Sequence, residues 1–341
     1  MATKPYAAQL RKHIRVRGIV QGVGFRPFVF HLAHEFGLTG FVFNSSAGVT
    51  IEIEGADPDL QAFIDHLTHS PPPLAQIDSI TITEVEPQGD SAFAIRESRA
   101  EEGEFVLVSA DVATCSDCWR EFGDPKDRRF GYPFTNCTNC GPRYTIIQDI
   151  PYDRPKTTMS AFQMCAECER EYHDPCDRRF HAQPNACPVC GPTVALAKQG
   201  SFVPGSISFG FGGLSVSIVR DARRLLHEGS IIAVKGLGGF LLACDARNED
   251  AVHVLRQRKR RSDKPFALMA RDLDSVESFC EVNEADHAAL MSPRRPIVIL
   301  PRRADAKLSS AIAPGNRTLG VMLPYTPLHY LLFSDSPEEP S

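Results

Sequence analysis

The first hundred residues alternate between two hydrophobic rhythms. "HIRVRGIV" (13–20) switches between polar and apolar side chains residue by residue, which predicts a strand. "PFVFHLAHEFG" then puts Phe28, Leu32 and Phe36 at helical spacing, with Pro27 suited to the first turn and Gly37 to the position just past the end. "GFVFNSSAGVTIEIEG" predicts two strands joined by a tight turn at Ser46–Gly48, with Val49, Ile51 and Ile53 on one face. "DPDLQAFIDHLTHS" predicts a second helix, capped by Asp57 and started by Pro58, with Leu60, Phe63, Ile64 and Leu67 in one stripe. "IDSITITEVE" adds a further strand. The order βαββαβ over residues 10–97 is that of a ferredoxin-like split βαβ sandwich.

Residues 105–193 are poor in such periodicity and contain a repeat instead. "CSDCWREFGDPKDRRFGYPFTNCTNCGP" and "CAECEREYHDPCDRRFHAQPNACPVCGP" align at a fixed offset, pairing Cys115 with Cys165, Cys118 with Cys168, Cys137 with Cys187 and Cys140 with Cys190. Each half has the spacing C-x2-C-x18-C-x2-C, which is a four-cysteine zinc pattern. The expectation is two structural Zn2+ sites, each formed within one half, with a nested pairing of outer and inner motifs as the alternative. Four cysteines per metal leave no open coordination position for catalysis. Metal–thiolate bonding would supply folding energy that so few apolar residues cannot. Arg128/Arg129 and Arg178/Arg179, in the two "DRRF" copies, read first as solvated charges pairing with nearby acids, with an anion path or a partner contact as the alternatives. His181 reads as a packed or hydrogen-bonded side chain. Cys176, Cys244 and Cys280 fall outside the pattern.

From 206 to 341 the pattern changes again. A Gly/Ser/Phe-rich stretch reads as a linker or loop, and "SIVRDARRLLHEG" predicts a helix ending at Gly229. "SIIAVKG", "FALMA", "PIVILP" and "LGVMLP" have strand length, and "EDAVHVLRQRK" and "DSVESFC" are helical segments between them. Strands alternating with helices predict an α/β domain. "RKRRSDKPFALM" gathers basic residues from Arg258 to Lys264, which suits either a solvated helix end or a polyanion site. The whole is therefore an α+β multidomain chain.

Composition narrows the functions. The chain has 341 residues, 43% hydrophobic and 23% charged, and a formal charge of −5, so nothing global draws it to nucleic acid or membrane. No apolar run is long enough for a membrane span, and the N-terminus has no secretory h-region. Eleven cysteines in such a chain favour thiolate metal ligands over disulfides and predict a cytoplasmic location.

The stretch "VQGVGFRPF" (20–28) carries the first chemistry. Gln21, Gly22, Val23, Gly24 and Phe25 link a strand to a helix start, where backbone N–H groups and the positive helix end make an anion site. Glycines let the backbone curl and approach a ligand, and Arg26 beside them can grip phosphate oxygens. Pro27 stands where a dinucleotide fingerprint needs its third glycine, and no G-K-[ST] follows. The loop, with its V-x-G-x-V-Q-G-V-G-F-R run and the G-x-V-x-N strand after it, resembles the acylphosphatase family across nearly all of 10–97. That resemblance implies that the loop amides and Arg26 hold a phosphoryl group and that Asn44 orients the attacking water. It departs from common members at "NSSAGV", where an acidic residue often precedes the glycine.

"SIIAVKGLGGFLLACDARNEDAVHVLRQRKRRSDKPFALM" resembles YrdC-like domains, which implies ATP binding with Lys259 and Arg261 as the K-x-R signature and Lys264 following. An acylphosphatase-like domain, a double four-cysteine zinc module and a YrdC-like domain occur in this order in the hydrogenase-maturation carbamoyltransferases, the HypF family. "CTNCGPRYTII", "PYDRPKTTM" and "ACPVCGP" also match that family. The resemblance implies hydrolysis of carbamoyl phosphate, reaction of the carbamate with ATP as a second substrate, and carbamoyl transfer to the C-terminal cysteine of HypE. This chain lacks the later S-x-N motif and the C-terminal transferase domain, so the expectation is a fragment or truncated product with a partial YrdC-like domain. The competing reading is a nucleic-acid-binding zinc protein with an RNA-associated YrdC-like domain. The negative charge and the absence of aromatics interleaved with the basic run weigh against it.

Overall fold

The computed structural model describes residues 9–100, 106–197 and 214–333. The Gly/Ser/Phe-rich linker (200–213) and the tail from 334 lie outside the described residues. Along the chain come β1 (Leu10–Ile19), α1 (Phe25–Glu35), β2 (Thr39–Ser45), β3 (Gly48–Gly55), α2 (Asp57–His69), β4 (Gln76–Val85) and β5 (Phe93–Ile95). The cysteine region contributes α3 (Ser116–Gly123) and α4 (Ala166–His173), which occupy equivalent places in the two repeats. The remainder is α5 (Leu214–His227), β6 (Ile232–Gly236), β7 (Gly239–Ala243), α6 (Glu249–Arg258), β8 (Ala267–Met269), α7 (Leu273–Glu277), α8 (Glu284–Met291), β9 (Val298–Pro301), β10 (Thr318–Met322) and α9 (Pro327–Leu331). Contacts divide the chain into two compact units. One comprises the residues up to Ala110 together with Cys137–Asn185, and the other Asp111–Asn136 together with Ala186 onward.

The first unit contains one sheet in the order β4-β1-β3-β2-β5. The four long strands pair antiparallel, and short β5 adds parallel to β2. That is the strand order expected of the ferredoxin-like sandwich, with β5 appended. Ile14 faces Ile51 across β1 and β3, and Asn44 pairs with Val49 across β2 and β3. Alternation sends Ile14, Val16, Val42, Val49, Ile51 and Ile53 to the helix side, where they pack with Val29, Leu32, Leu60, Phe63 and Leu67. The opposite face of β2 is covered too. Phe41 and Phe43 stack at 5.9 Å, and the guanidinium of Arg96 lies 3.6 Å from the Phe41 ring centre.

Helix α1 begins at Phe25, two residues ahead of Pro27, and Gly37 follows its C-cap with φ 62°. The expected cap of α2 is corrected: the N-cap is Ala56, and Asp57 is the first helical residue with no side-chain cap. Pro58 and the acidic Asp57 and Asp59 still suit that first turn.

In the second unit, β6 and β7 form a two-stranded ribbon, and β8, β10 and β9 a three-stranded sheet. The core there gathers Val252, Leu268, Val276, Leu290, Leu300, Leu319 and Val321. A smaller cluster joins Trp119 and Phe122 of α3 to Val219, Tyr330 and Leu331. Among the described residues, no helix is long and apolar enough to cross a membrane.

Candidate functional site: an anion pocket and paired cysteine clusters

The β1–α1 connection turns on two glycines in the left-handed region, Gly22 and Gly24, each with φ 74°. Side chains with a Cβ are disfavoured there. Gly24 is the N-cap of α1, so no side chain covers the first amides of the helix. Between the glycines Val23 is buried in the core, and Phe25 is buried beside it. The apolar pair anchors the loop while the glycine backbone faces outward. No acidic residue stands in the first turn of α1 to compete with an anion.

This loop forms the floor of a cleft of about 340 Å³, part of it open to solvent. Gly22, Gly24, Phe25, Arg26 and Asn44 line it together with Thr138, Arg143, Tyr152, His181 and Gln183 from the cysteine-region segment of the same unit. Arg26 and Asn44, 18 positions apart in sequence, thus reach one cavity. Arg26 is 8% exposed and donates from Nη1 to the Asp153 carboxylate at 2.8 Å and to Ser98 Oγ at 3.3 Å. Its Nη2 donates to the Tyr152 carbonyl at 3.3 Å, and Asn44 Nδ2 reaches the same carbonyl at 3.5 Å. Asn44 Oδ1 is buried without a hydrogen-bond partner. An orphaned buried acceptor is costly, so this atom is poised for a donor that arrives with ligand or water.

Gln21 plays a different part from its loop neighbours. Its Nε2 donates to the carbonyls of Ser45 and Gly48, and its Oε1 accepts from the Tyr152 amide at 2.9 Å. The side chain therefore holds the loop against the β2–β3 turn and leaves anion contact to the backbone. Arg143 holds the loop from the other side. It donates to the carbonyls of Cys137, Thr138, Cys140 and Pro142, and its Nε donates to the Gly22 carbonyl.

Sequence reasoning missed the wall made by Tyr152, His181 and Gln183, and the Asp153 carboxylate that holds Arg26. "PYDRPKTTM" carried only a resemblance, with no spacing rule tying Asp153 to Arg26. The "DRRF" arginines are a correction. Arg129 and Arg179 are buried, 1% and 3% exposed, rather than solvated, and Arg129 Nε donates to the Ala186 carbonyl at 2.9 Å. Guanidinium groups with multiple donors can organise turns that have few apolar side chains. His181 is packed, as expected, against Phe180 and Tyr172.

The eight cysteines of the repeat fall into two groups, Cys115/Cys118/Cys137/Cys140 and Cys165/Cys168/Cys187/Cys190, with the sulfurs of each group within 4.8 Å of one another. All eight are unbridged. Cys137 and Cys140 sulfurs lie 3.8 Å apart, and those of Cys187 and Cys190 3.7 Å apart. Zinc–sulfur bonds of ~2.3 Å in a tetrahedron put sulfurs roughly 3.8 Å apart, so the donor set fits that ion. The Asn139 amide donates to Cys137 Sγ at 3.3 Å, as suits a thiolate.

In the third region, Lys259 and Lys264 are exposed on the turns after α6. Arg261 is held differently: its guanidinium lies over the Phe266 ring and donates to the Pro265 carbonyl. Arg256, which sequence reasoning passed over, is buried and organises this loop. It donates to the carbonyls of Arg261, Ser262, Ala311 and Ile312.

The class defined by these observations is a multidomain α+β protein with an arginine–asparagine anion pocket on a ferredoxin-like sandwich and paired cysteine fingers. Family models match accordingly: "Acylphosphatase" over 12–95, "HypF finger" over 114–147 and 164–197, and Sua5/YciO/YrdC, described as "Telomere recombination", over 224–338. An acylphosphatase from Thermotoga petrophila is 39% identical over 84 residues, covering 92% of its own length and 24% of this chain. The carbamoyltransferase HypF of Rhizobium leguminosarum bv. viciae is 49% identical over 95% of this chain and 40% of its own. A solved structure of full-length HypF, in its phosphate- and nucleotide-bound form, superposes with a TM-score of 0.87 at 49% identity, covering 96% of this chain and 41% of its own.

The chain belongs to the HypF family, and it spans about two-fifths of the length of the curated HypF relative it matches.

Proposed function

We propose that this chain hydrolyses carbamoyl phosphate in the Arg26–Asn44 pocket, as the opening step of the carbamoyl transfer for which its relatives are named. The observation that carries the reading is the convergence of Arg26, the bare glycine backbone and the unpartnered Asn44 Oδ1 on one cleft. The loop amides and Arg26 bind the phosphoryl oxygens and neutralise charge that develops on them. Asn44 Oδ1 accepts a hydrogen bond from a water and sets it in line with phosphorus. The water oxygen bonds to phosphorus as the bond to the carbamoyl oxygen breaks, carbamate leaves, and the water's protons pass to phosphate and solvent.

Three regions support the wider reading: the acylphosphatase-like domain at 10–97, the tandem four-cysteine module at 105–193 and the YrdC-like domain at 206–341. Zinc in the two cysteine groups is structural, since four thiolates fill each coordination shell. ATP is the second substrate, with Lys259, Arg261 and Lys264 as its contacts, and a HypE-type protein is the acceptor. Unbridged thiols in metal-binding sets suit the reducing cytoplasm. The nucleic-acid reading is not favoured, because the relatives are carbamoyltransferases.

The test is phosphate release from carbamoyl phosphate by the wild type, Arg26→Ala and Asn44→Ala. The expected result is a loss of at least about 100-fold in kcat/KM for each variant. Undiminished release by Arg26→Ala would remove the assignment.

A further inference from the structure

The pocket has two sides with different chemistry. The floor, made by the glycine loop and the start of α1, offers N–H donors and a cation, and it suits a phosphate. The wall comes from residues 138–184, and most of its polar groups are already engaged. Arg143 donates to backbone carbonyls from all three guanidinium nitrogens. Gln183 Oε1 accepts from the Arg154 amide at 2.7 Å, and its Nε2 donates to the His181 carbonyl. Thr138 Oγ1 donates to the Arg178 carbonyl at 3.1 Å. The Tyr152 amide and carbonyl are both bonded.

His181 stands apart from these groups. Its ring lines the pocket and makes no hydrogen bond among the described residues. Its backbone sits at φ 54°, in the left-handed region that non-glycine residues enter at a cost. That conformation is fixed from several sides. The His181 amide donates to the Tyr172 carbonyl at 2.9 Å, and Gln183 Nε2 donates to the His181 carbonyl at 2.7 Å. The ring packs against Phe180 at 4.7 Å and Tyr172 at 5.1 Å. Gly131, at the equivalent place in the first repeat, has φ 64° and donates its amide to the Phe122 carbonyl in the same way, so the finger turn sets this conformation and fixes where the His181 ring stands.

Burial, with the nearby positive charge of Arg26, pushes the His181 imidazole down to about 3. The ring is therefore neutral at working pH, with one N–H and one lone-pair nitrogen. It cannot add a second cation to the phosphate site, and it brings an acceptor to a cavity rich in donors. Resting on the hydrolytic reading above, the substrate has an acyl half that demands such an acceptor. A carbamoyl group carries an NH2 with two donor hydrogens, which an acetyl group of nearly the same size lacks. Asn44 Oδ1 is assigned to the attacking water, the Tyr152 carbonyl already receives Arg26 and Asn44, and the Tyr152 hydroxyl is fully buried and carries a proton of its own to donate.

We propose that His181 is the specificity residue of the acyl subsite, its imidazole accepting a hydrogen bond from the carbamoyl NH2 and thereby favouring carbamoyl phosphate over acetyl phosphate. A site built to pair with a substrate N–H rejects the analogue that lacks it, because its own polar group would stay unpaired.

The experiment compares kcat/KM for carbamoyl phosphate and acetyl phosphate in the wild type, His181→Gly and His181→Asn. Glycine removes the ring without adding backbone strain, and asparagine keeps an acceptor in a backbone region it tolerates. The expected result is a roughly tenfold fall in the carbamoyl-to-acetyl ratio for His181→Gly, and a ratio within about threefold of wild type for His181→Asn. Inhibition by inorganic phosphate, which probes the floor alone, stays within about twofold in both. An equal loss on the two substrates, or an unchanged ratio, overturns the proposal while leaving the hydrolytic reading intact. Release of phosphate from neither substrate by the wild type removes that reading and this one with it. Should His181→Gly fail to fold, His181→Leu, which keeps bulk and lacks the acceptor, is judged by the same ratio.

Discussion

The guanidinium of Arg26, a residue that lines the pocket, meets the Asp153 carboxylate at 2.8 Å. One acid thus holds the arginine in place and also opposes any anion that approaches it. Coulomb repulsion between groups a few ångströms apart is worth about 1–4 kcal/mol at a partly hydrated site. Asp153→Asn removes the opposing charge and leaves a neutral acceptor of the same shape. The expected outcome is an inhibition constant for inorganic phosphate about tenfold lower than wild type, with kcat reduced several-fold as the guanidinium loses its orienting partner. Inhibition assays at fixed ionic strength read this directly, and an unchanged constant would mean that Asp153 does not face the bound anion.

The loop glycines make a second, independent prediction. A Cβ on Gly22 would lie 3.0 Å from Arg143 Cδ, at a backbone φ of 74°. Arg143 cannot swing away cheaply, because its guanidinium is bonded to several carbonyls. Gly24 has the same φ but open surroundings, with the nearest atom, Thr138 Cβ, at 3.6 Å. Gly24→Ala therefore costs only the conformational strain, about 1–2 kcal/mol. Gly22→Ala costs more, since contact is added to strain. Denaturant unfolding of the two variants gives the order, and equal losses would argue against a steric role for Arg143.

Much of this arrangement was legible beforehand, and the reasons for the rest are physical. The βαββαβ order followed from period-two and period-3.6 patterns, because each element there buries one face in a single core. The glycines announced an anion loop for the same local reason. Strand β5, with three residues, is too short to show a period, and β7 was hidden in the glycine-rich "LGGFLLA". Helix α8 has one fully buried residue, Leu290, and is marked instead by a capping box between Asn283 and Asp286. Asp153 and His181 escaped because their importance comes from proximity to Arg26 across more than a hundred residues of chain. Arg129, Arg179 and Arg256 escaped because charge predicts exposure, whereas all three are buried, Arg129 and Arg256 with backbone carbonyls accepting from their guanidinium groups.

The cysteine groups predict a specific metal count. Two closed four-sulfur sets give two zinc ions per chain. With pairing inside each repeat, Cys115→Ser and Cys140→Ser remove the same ion and leave about one zinc each, and the double variant also retains one. Nested pairing would instead put Cys115 and Cys140 in different sites, so the double variant would lose both. Metal analysis after gel filtration separates the two. Because such sites supply folding energy, chelation should unfold the cysteine region together with the loss of metal.

Acid stability reports on two buried groups of the first unit. Glu54 and Arg11 form an ion pair at 2.8 Å with side chains 1% and 2% exposed, and Glu52 and Asp90 complete the cluster. Burial alone would push the Glu54 carboxyl up. The amides of Gln88 and Gly89 and the Arg11 guanidinium outweigh it and hold the carboxyl below the ordinary carboxylate range. The unfolded chain then binds the proton more readily, so this stabilisation is present above about pH 4.5 and is lost as pH falls further. His181 acts in the same direction over a higher window. Its folded value of about 3 lies below the ordinary 6.5, so unfolding takes up a proton between those limits and stability declines as pH falls from 6.5 toward 3. The variants separate the two contributions. His181→Asn should reduce the pH dependence of unfolding between 6.5 and about 4.5, leaving the share of His31 and His329, which burial also holds below 6.5, while the steeper loss below 4.5 persists. Glu54→Gln should remove that lower limb and lower stability at pH 7 by about 1–3 kcal/mol, because Arg11 keeps Glu52 and Asp90 as partners. A wild-type stability that is constant from pH 6.5 to 5 in phosphate-free buffer would show that His181 is not buried in its neutral form.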